Sequence, residues 1–498
     1  MFSRMLSLFS SEPKDDHDNF SYDVYPLHLL DQWVDARSFI MNYTFRYDQV
    51  LDANKLHASL VQLVEKEGWR KLGGRLRINN AKKAEIHVPK TFTSAHPAVR
   101  FENSQIPLNI DAHPVAGRLP KGTGTAPSVH NGSDQFSTLS LAPSHPRSIR
   151  HYLATDEPVL GLYVTNFKDA TLVGITIPHC LADAMATSDL LEAWSAIVSQ
   201  RADLVKPLAG AKDDPFGSVG TPSDELAQGK FVQENYQMRG LRLLLFFGRI
   251  IWDKLTAGFV RPGQIYLSAT YLASLRKVAE EELSKGRKSV PFISDGDLLT
   301  AWASRVIEKS SPATGTTAIY TIFSVRWRLG NTFKRTAAYM QNTVLPCVVL
   351  LSHKESKSIS LGEVALRVRE QIVAQTTETQ VRRLVRIARE WVASLGITPI
   401  FSFWDSRLVV CTNWTKARFF DVADFGSAAV DLKEASGEVK SLGKPSFFWS
   451  IAISESDNLP NTFMVYGKDE AGNYWVSANL RDVTWRTIER EFGAFKCA

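Results

Sequence analysis

A histidine placed just beyond a buried-type strand and just before a helix can project from a rigid support into a cleft. Pro178-His179-Cys180-Leu181-Ala182-Asp183-Ala184 is such a stretch. With an ordinary pKa of about 6.5, neutral imidazole can take a proton at physiological pH. Attack of an alcohol or amine on a thioester needs that proton removed as the new bond to carbon forms. A base within hydrogen-bond reach contributes roughly 10²–10⁴-fold. Asp183, four residues on, suits orientation of the loop through an ion pair with an arginine rather than contact with substrate. A lone His-x3-Asp pair recurs by chance and does not single out catalysis. Cys180 could suggest a Cys–His nucleophile, but adjacent side chains on a strand-to-helix bend diverge, so a packing thiol is expected.

A second stretch adds to the first. Thr412, Asn413 and Trp414 end a strand, and Asp424-Phe425-Gly426 follows ten residues after Trp414. A glycine after an aromatic residue suggests a tight turn where backbone approaches something closely. Asp-Phe-Gly alone could suggest the kinase magnesium motif. The Gly-rich loop, the His-Arg-Asp catalytic loop and the downstream Ala-Pro-Glu are all missing, and the kinase reading fails. Arg382, Arg383, Arg386 and Arg389 form one basic side of a helix. A solvated face is the expectation there, the alternative being attraction of ligand phosphates.

Taken in order along most of the chain, these stretches resemble the BAHD acyltransferase superfamily, in particular fungal-type, trichothecene acetyltransferase-like members. Tyr25-Pro26-Leu27 and Asp31-Gln32 resemble its opening segment, and Leu56 to Leu76, ending in Gly74-Arg75-Leu76, its first helix and Gly-Arg turn. His179 and Asp183 match its His-x3-Asp motif. Arg326-Trp327-Arg328-Leu329 looks like its paired-arginine segment, with Tyr339 and Asn342 resembling the stretch beyond. Asp424-Phe425-Gly426 matches the start of its Asp-Phe-Gly-Trp-Gly motif.

The resemblance implies an α/β fold of two similar chloramphenicol-acetyltransferase-like domains of mixed sheet plus helices. A long crossover would join them, with an active-site tunnel between. It implies His179 and Asp183 as the catalytic pair: His179 as general base, Asp183 turned away and paired with Arg326. The donor would be an acyl-CoA, acetyl-CoA or a similar short thioester, used as co-substrate in direct transfer to a hydroxyl of a specialised metabolite. Neither a bound cofactor nor a metal is implied. Thr412, Asn413 and Trp414 would border the substrate or CoA site, and Asp424 and Gly426 would support a structural loop. Ala184 replaces the usual glycine, and Ser427 and Ala428 stand where the family has Trp and Gly. Ser427 or a backbone N–H would then serve the oxyanion, a donor worth roughly 3 kcal/mol in other acyl-transfer enzymes. Two rivals stand beside this reading. A condensation-type enzyme would take its acyl group from a carrier protein, but such enzymes carry a second histidine where this chain has Pro178. A cyclase or binding protein could use the same fold without acyl transfer.

The elements that must position these residues follow from periodicity. Asp52 to Glu67 reads as a helix, then Gly73-Gly74 breaks it. Val159 to Phe167 and Thr171 to Ile177 read as strands, and Pro120 to Arg147 as a long surface loop. Leu190, Leu191, Trp194 and Val198 share one face of the helix after His179. A linker spans Leu208 to Gln228, and a helix lies near Glu234 to Leu255, taken as an inter-domain helix rather than a membrane-surface one. Val290 begins with a strand signal, and Ser294 to Asp297 offers N-cap chemistry. Further strands are expected at Ala318–Val325, Cys347–Leu351, Leu408–Thr412, Trp449–Ile453, Phe463–Tyr466 and Tyr474–Leu480. Helices are expected at Leu361–Thr376 and Thr379–Leu395. The implied division is 1–207, 208–262 as crossover, and 263–498.

Length and charge bound the rest. At 498 residues two domains are the default. With 44% hydrophobic and 22% charged residues the chain is globular rather than disordered. A net charge of +6 is too thin for nucleic acid, which calls for a clustered basic stripe. Cys180, Cys347, Cys411 and Cys497 have no paired spacing for zinc or redox chemistry, so a reducing, cytoplasmic setting and no disulfide framework are expected. Met1 to Ser10 is too short for a secretory segment, no membrane span is expected, and a monomer is the default.

Overall fold

The run Thr171–Pro178 shows no polar alternation because both of its faces are covered, and every residue in it is buried. In the computed structural model, which describes residues 21–34, 36–256, 258–311, 315–430, 443–454 and 459–497, this run is the central strand β8. The Met1–Ser10 segment lies outside the described residues. The five-stranded sheet around β8 has the order β13 (Phe447–Ser454), β2 (Phe39–Tyr47), β8, β7 (Gly161–Asn166), β5 (Arg100–Gln105). Only β5 and β7 run parallel. A seven-stranded sheet runs β11 (Val344–Leu351), β10 (Thr317–Ser324), β12 (Arg407–Asn413), β14 (Thr462–Lys468), β15 (Tyr474–Arg481), β9 (Val260–Leu267), β6 (Ser128–Asn131). A small sheet of β1 (Tyr22–Pro26), β4 (Ala84–Pro89) and β3 (Arg75–Ile78) completes the set.

Two strands cross the halves of the chain. β6, from the first half, pairs with β9 in the seven-stranded sheet, while β13, from the second, pairs with β2 in the five-stranded sheet. The sheets therefore do not follow the ranges 1–207 and 263–498 in full. The expected surface loop at Pro120 to Arg147 is corrected by the same fact. Besides β6 it holds buried Phe136, Leu139, Leu141 and Ala142. A Cβ on Gly174 of β8 would stand 2.7 Å from the Ser140 carbonyl, which shows how closely this segment packs. Its Gly, Ser and Pro content masked short, four-residue elements.

Eight helices of twelve residues or more lie among the described residues: α1 (Ala53–Val64), α2 (Ala184–Val198), α3 (Gly240–Thr256), α4 (Ala269–Ser284), α5 (Asp295–Ser310), α6 (Leu361–Gln375), α7 (Glu378–Leu395) and α8 (Asp482–Lys496). Asp52 caps α1 by accepting from the Asn54 and Lys55 amides, and Leu56, Leu60 and Leu63 go inward. Trp194 of α2 locks the two helices together, its indole N–H shared between the Leu56 carbonyl at 3.1 Å and Ser59 Oγ at 2.9 Å. Ser294 forms a capping box with Asp297 at the start of α5, and the Val290 segment before it is not a strand. Among the described residues no helix is long and apolar enough to cross a membrane.

The basic side of α7 is neither solvated nor aimed at a ligand. Arg383 donates to the Gln228 and Lys230 carbonyls, Arg386 to Ala227 and Gly229, and Arg389 to Val219 and Phe216. Arg382 pairs with Asp224 at 3.1 Å. The arginines thus strap the crossover segment to α7. A polypeptide with few apolar residues of its own is held by satisfying its carbonyls.

Candidate active site

β8 ends at Pro178 and His179 opens a single tight turn, His179–Leu181, before α2. The imidazole is partly exposed and leans on the Phe39 ring, with centroids 4.6 Å apart. Phe39 opens β2 and faces Ser454 of β13 in register, so the ring stands where strands from both halves of the chain meet. Burial pushes the imidazole below its ordinary pKa, against a weaker raising pull from Asp183. It is therefore neutral at pH 7. Its Nδ1 is enclosed and has no hydrogen-bond partner, which leaves Nε2 as the nitrogen able to meet another molecule. Cys180 is fully buried, its thiol pushed up to about 12 mainly by that burial, so it stays protonated and packs.

Asp183 does not touch the histidine ring. It is the N-cap of α2, accepting from the Ala186 amide at 2.8 Å, and its second oxygen accepts from the Thr343 amide and hydroxyl, both at 2.8 Å. Arg326 Nη2 reaches it at 3.4 Å. Both oxygens of the carboxylate are thus engaged within the protein. Arg326 is similarly engaged. Its Nη1 pairs with Asp189 at 2.8 Å, its Nε donates to Thr343 Oγ1 at 2.9 Å, and its Nη2 also reaches the Tyr339 and Gln341 carbonyls. These contacts hold the guanidinium between α2 and the Tyr339–Thr343 stretch.

The stretch Tyr339–Thr343 is the other wall of this junction. Lys71 Nζ donates to the Met340 carbonyl at 3.2 Å. Asn342 receives the buried Asp31 carboxylate on its amide N–H at 2.7 Å and on its side chain at 2.9 Å. The remaining Asn342 side-chain N–H donates to the His179 carbonyl at 2.8 Å. Asn342, from the second half of the molecule, therefore links Asp31 to the backbone of the His179–Leu181 turn. Asp189 and Thr343 had no sequence signal as site residues, and Asp31 stood out only as part of the opening segment. Polar residues beside an arginine segment were the available hint.

One expectation about the other stretches changes, that for Ser427. Ser195 of α2 donates to the Asp424 carbonyl at 2.6 Å, and Phe425 packs against Trp194 with centroids 4.2 Å apart and the rings tilted at 56°. Ser195 is twelve residues beyond Asp183 along one helix, about 18 Å at 1.5 Å per residue. Ser427 is exposed, its carbonyl held by Lys55 at the start of α1. It therefore sits too far from His179 to serve an oxyanion there. Asp424 Oδ1 accepts from the Gly426 amide at 3.1 Å, a self-closed turn, and Gly443 at φ +94° lies against the Gly426 backbone. Thr412 and Asn413 end β12, and Trp414 packs among Tyr43, Phe419 and Tyr466. The following turn reaches α2, where Ser188 donates to the Ala417 carbonyl at 2.7 Å. The Trp414 indole N–H is taken by Thr412 Oγ1 at 3.2 Å.

A family model described as "Transferase family" matches residues 128–430. "Acetyltransferase BOT5" of Botryotinia fuckeliana is 44% identical over 495 residues, covering 95% of this chain and 91% of that protein. The chain belongs to the BAHD transferase family. "Acetyltransferase pyiB" of Pyricularia grisea is 32% identical, covering 94% of this chain and 93% of its own. Among solved structures, TRI101 of F. graminearum complexed with coenzyme A and deoxynivalenol matches with a TM-score of 0.66. That match covers 94% of this chain and 97% of that one at 15% identity, a likeness of fold. The BAHD architecture, chloramphenicol-acetyltransferase-like mixed sheets with helices, is the one described above, and the protein is an acyltransferase. Among the described residues no group of His, Cys, Asp and Glu could hold a metal ion.

Proposed function

We propose that the protein transfers an acyl group, acetyl in the first instance, from acyl-CoA to a hydroxyl of a specialised metabolite, with His179 as general base. The observation that carries this reading is a neutral, partly exposed imidazole at the meeting of the two halves, with Nδ1 enclosed and its backbone pinned by Asn342. In the reaction, acceptor O–H passes its proton to His179 Nε2 as oxygen bonds to the thioester carbon. The tetrahedral adduct then collapses, the carbon–sulfur bond breaks, and the imidazolium returns the proton to the CoA thiolate. Atoms balance without a covalent acyl-enzyme. The buried, protonated Cys180 thiol supports direct transfer, because no thiolate nucleophile is present at neutral pH. Relatives named acetyltransferases, and a fold relative complexed with coenzyme A, support the choice of donor.

The test is mass spectrometry of products after incubating the protein with several acyl-CoAs and an extract of the producing organism. Gain of one acetyl group by a single hydroxylated compound, with one free CoA per product, is expected. Turnover with carrier-bound acyl groups alone, or a product of unchanged mass formed without thioester, would replace this reading.

A further inference from the structure

The helix α3 has two apolar faces, and the fold uses one. Phe246 is buried, and Leu243, Phe247 and Ile250 pack against the core beneath α7. On the opposite side Leu241, Leu244, Leu245, Ile251, Trp252 and Leu255 are 48% to 76% exposed. At 100° per residue these six fall in an arc of about 120° facing away from Phe246 and Ile250, where a water-facing helix carries polar side chains. The patch extends beyond the helix. Phe259 is 94% exposed just after it, and Trp404 is 54% exposed beside its entry. The Met238 amide donates to the Ile400 carbonyl and the Ser402 amide to the Tyr236 carbonyl, which places the Trp404 segment beside Tyr236 at the start of α3. A contiguous exposed apolar surface of this kind marks a contact.

The charges around the patch choose the partner. Exposed Arg242 and Lys254 flank the apolar arc, while the acid of the helix, Asp253, is held by Arg481 at 2.6 Å. A second copy docked on the same face would set these cations against their own images. An anionic lipid surface answers both features, accepting the apolar arc among its acyl chains and the cations among its headgroups. Trp252, Trp404 and Tyr236 supply the amphipathic rings that favour that boundary. We propose that α3 lies in the headgroup region of an anionic bilayer and docks the protein on the membrane surface without crossing it.

Flotation of the full chain with vesicles of phosphatidylcholine, alone or with about a third phosphatidylserine, tests this. The wild type should float with the anionic vesicles, and L244E/W252E/L255E should reduce the bound fraction roughly tenfold. R242E/K254E should abolish the preference for anionic over neutral vesicles. Both variants change exposed or flanking side chains, so unchanged melting curves serve as the folding control. A wild type that stays unbound with both vesicles would overturn the proposal. So would a lipid-free dimer, seen by light scattering, that the triple substitution converts to monomer.

Discussion

Replacing Asp183 by Asn separates a residue that positions the base from one that takes part in chemistry. The carboxylate is 2% exposed and accepts from Ala186, Thr343 and Arg326. Asn keeps its shape, removes the charge, and presents N–H groups where two of those donors point. Breaking a buried ion pair from one side costs about 3–5 kcal/mol. Arg326 keeps Asp189 at 2.8 Å, which puts the expected loss at the lower end, ~3 kcal/mol. Arg326→Met removes the other partner, and the double variant removes both. Since the residues touch, the losses should fail to add by ~1–3 kcal/mol, measured by denaturant unfolding of the four proteins. Asn342 still tethers the His179 turn, so kcat/KM for CoA release should fall roughly 10²-fold, the cost of a displacement near 1 Å. The Asp183 charge raises the His179 pKa, so D183N should also move the acid limb of kcat/KM to lower pH. A D183N enzyme of normal stability that is as inactive as one without the imidazole would refute the positioning role. Strictly additive stabilities would do the same.

Three further outcomes follow from the same geometry. Because burial holds His179 below its ordinary value and the neutral form is the active base, wild-type kcat/KM should stay flat as pH falls through 6.5 and decline only below it. An acid limb at or above about 6.5 contradicts this. Asn342→Ala keeps the backbone N–H on Asp31 but removes the side-chain donor to that carboxylate and the donor to the His179 carbonyl, which should cost about 1–3 kcal/mol of stability and lower kcat more than it changes KM. Unchanged kcat in that variant would remove the Asp31–Asn342–His179 link. Ser427→Ala should leave kcat within about twofold, because Ser427 lies near α1 rather than the imidazole; a drop of 10²–10³ would instead mark an oxyanion donor.

Local signals located most of the strands and the catalytic turn, because β8 is a continuous apolar run and Asp183 sits at a standard N-cap spacing from α2. What escaped was set by contacts distant in sequence. β2, the partner of both β8 and β13, carries Asn42, Thr44 and Arg46 within its span, and its burial comes from neighbours on either side. β6 is four residues long and gains its place only by pairing with β9. The arginines of α7 read as a solvated face because a helical wheel cannot show the carbonyls of residues 216–230 lying across it. Ser427 was adjacent to a family motif in sequence, yet α2 holds that motif a helix length from His179. Conversely, the sequence of α3 does not tell its two apolar faces apart, and only the fold shows which one is uncovered.

The central claim rests on the His179 imidazole as proton acceptor. With acetyl-CoA and the acceptor found by product mass spectrometry, kcat/KM of His179→Ala against wild type measures it directly. The account predicts a loss of roughly 10²–10⁴-fold with an unchanged melting curve. A folded His179→Ala enzyme that keeps wild-type kcat/KM would contradict it.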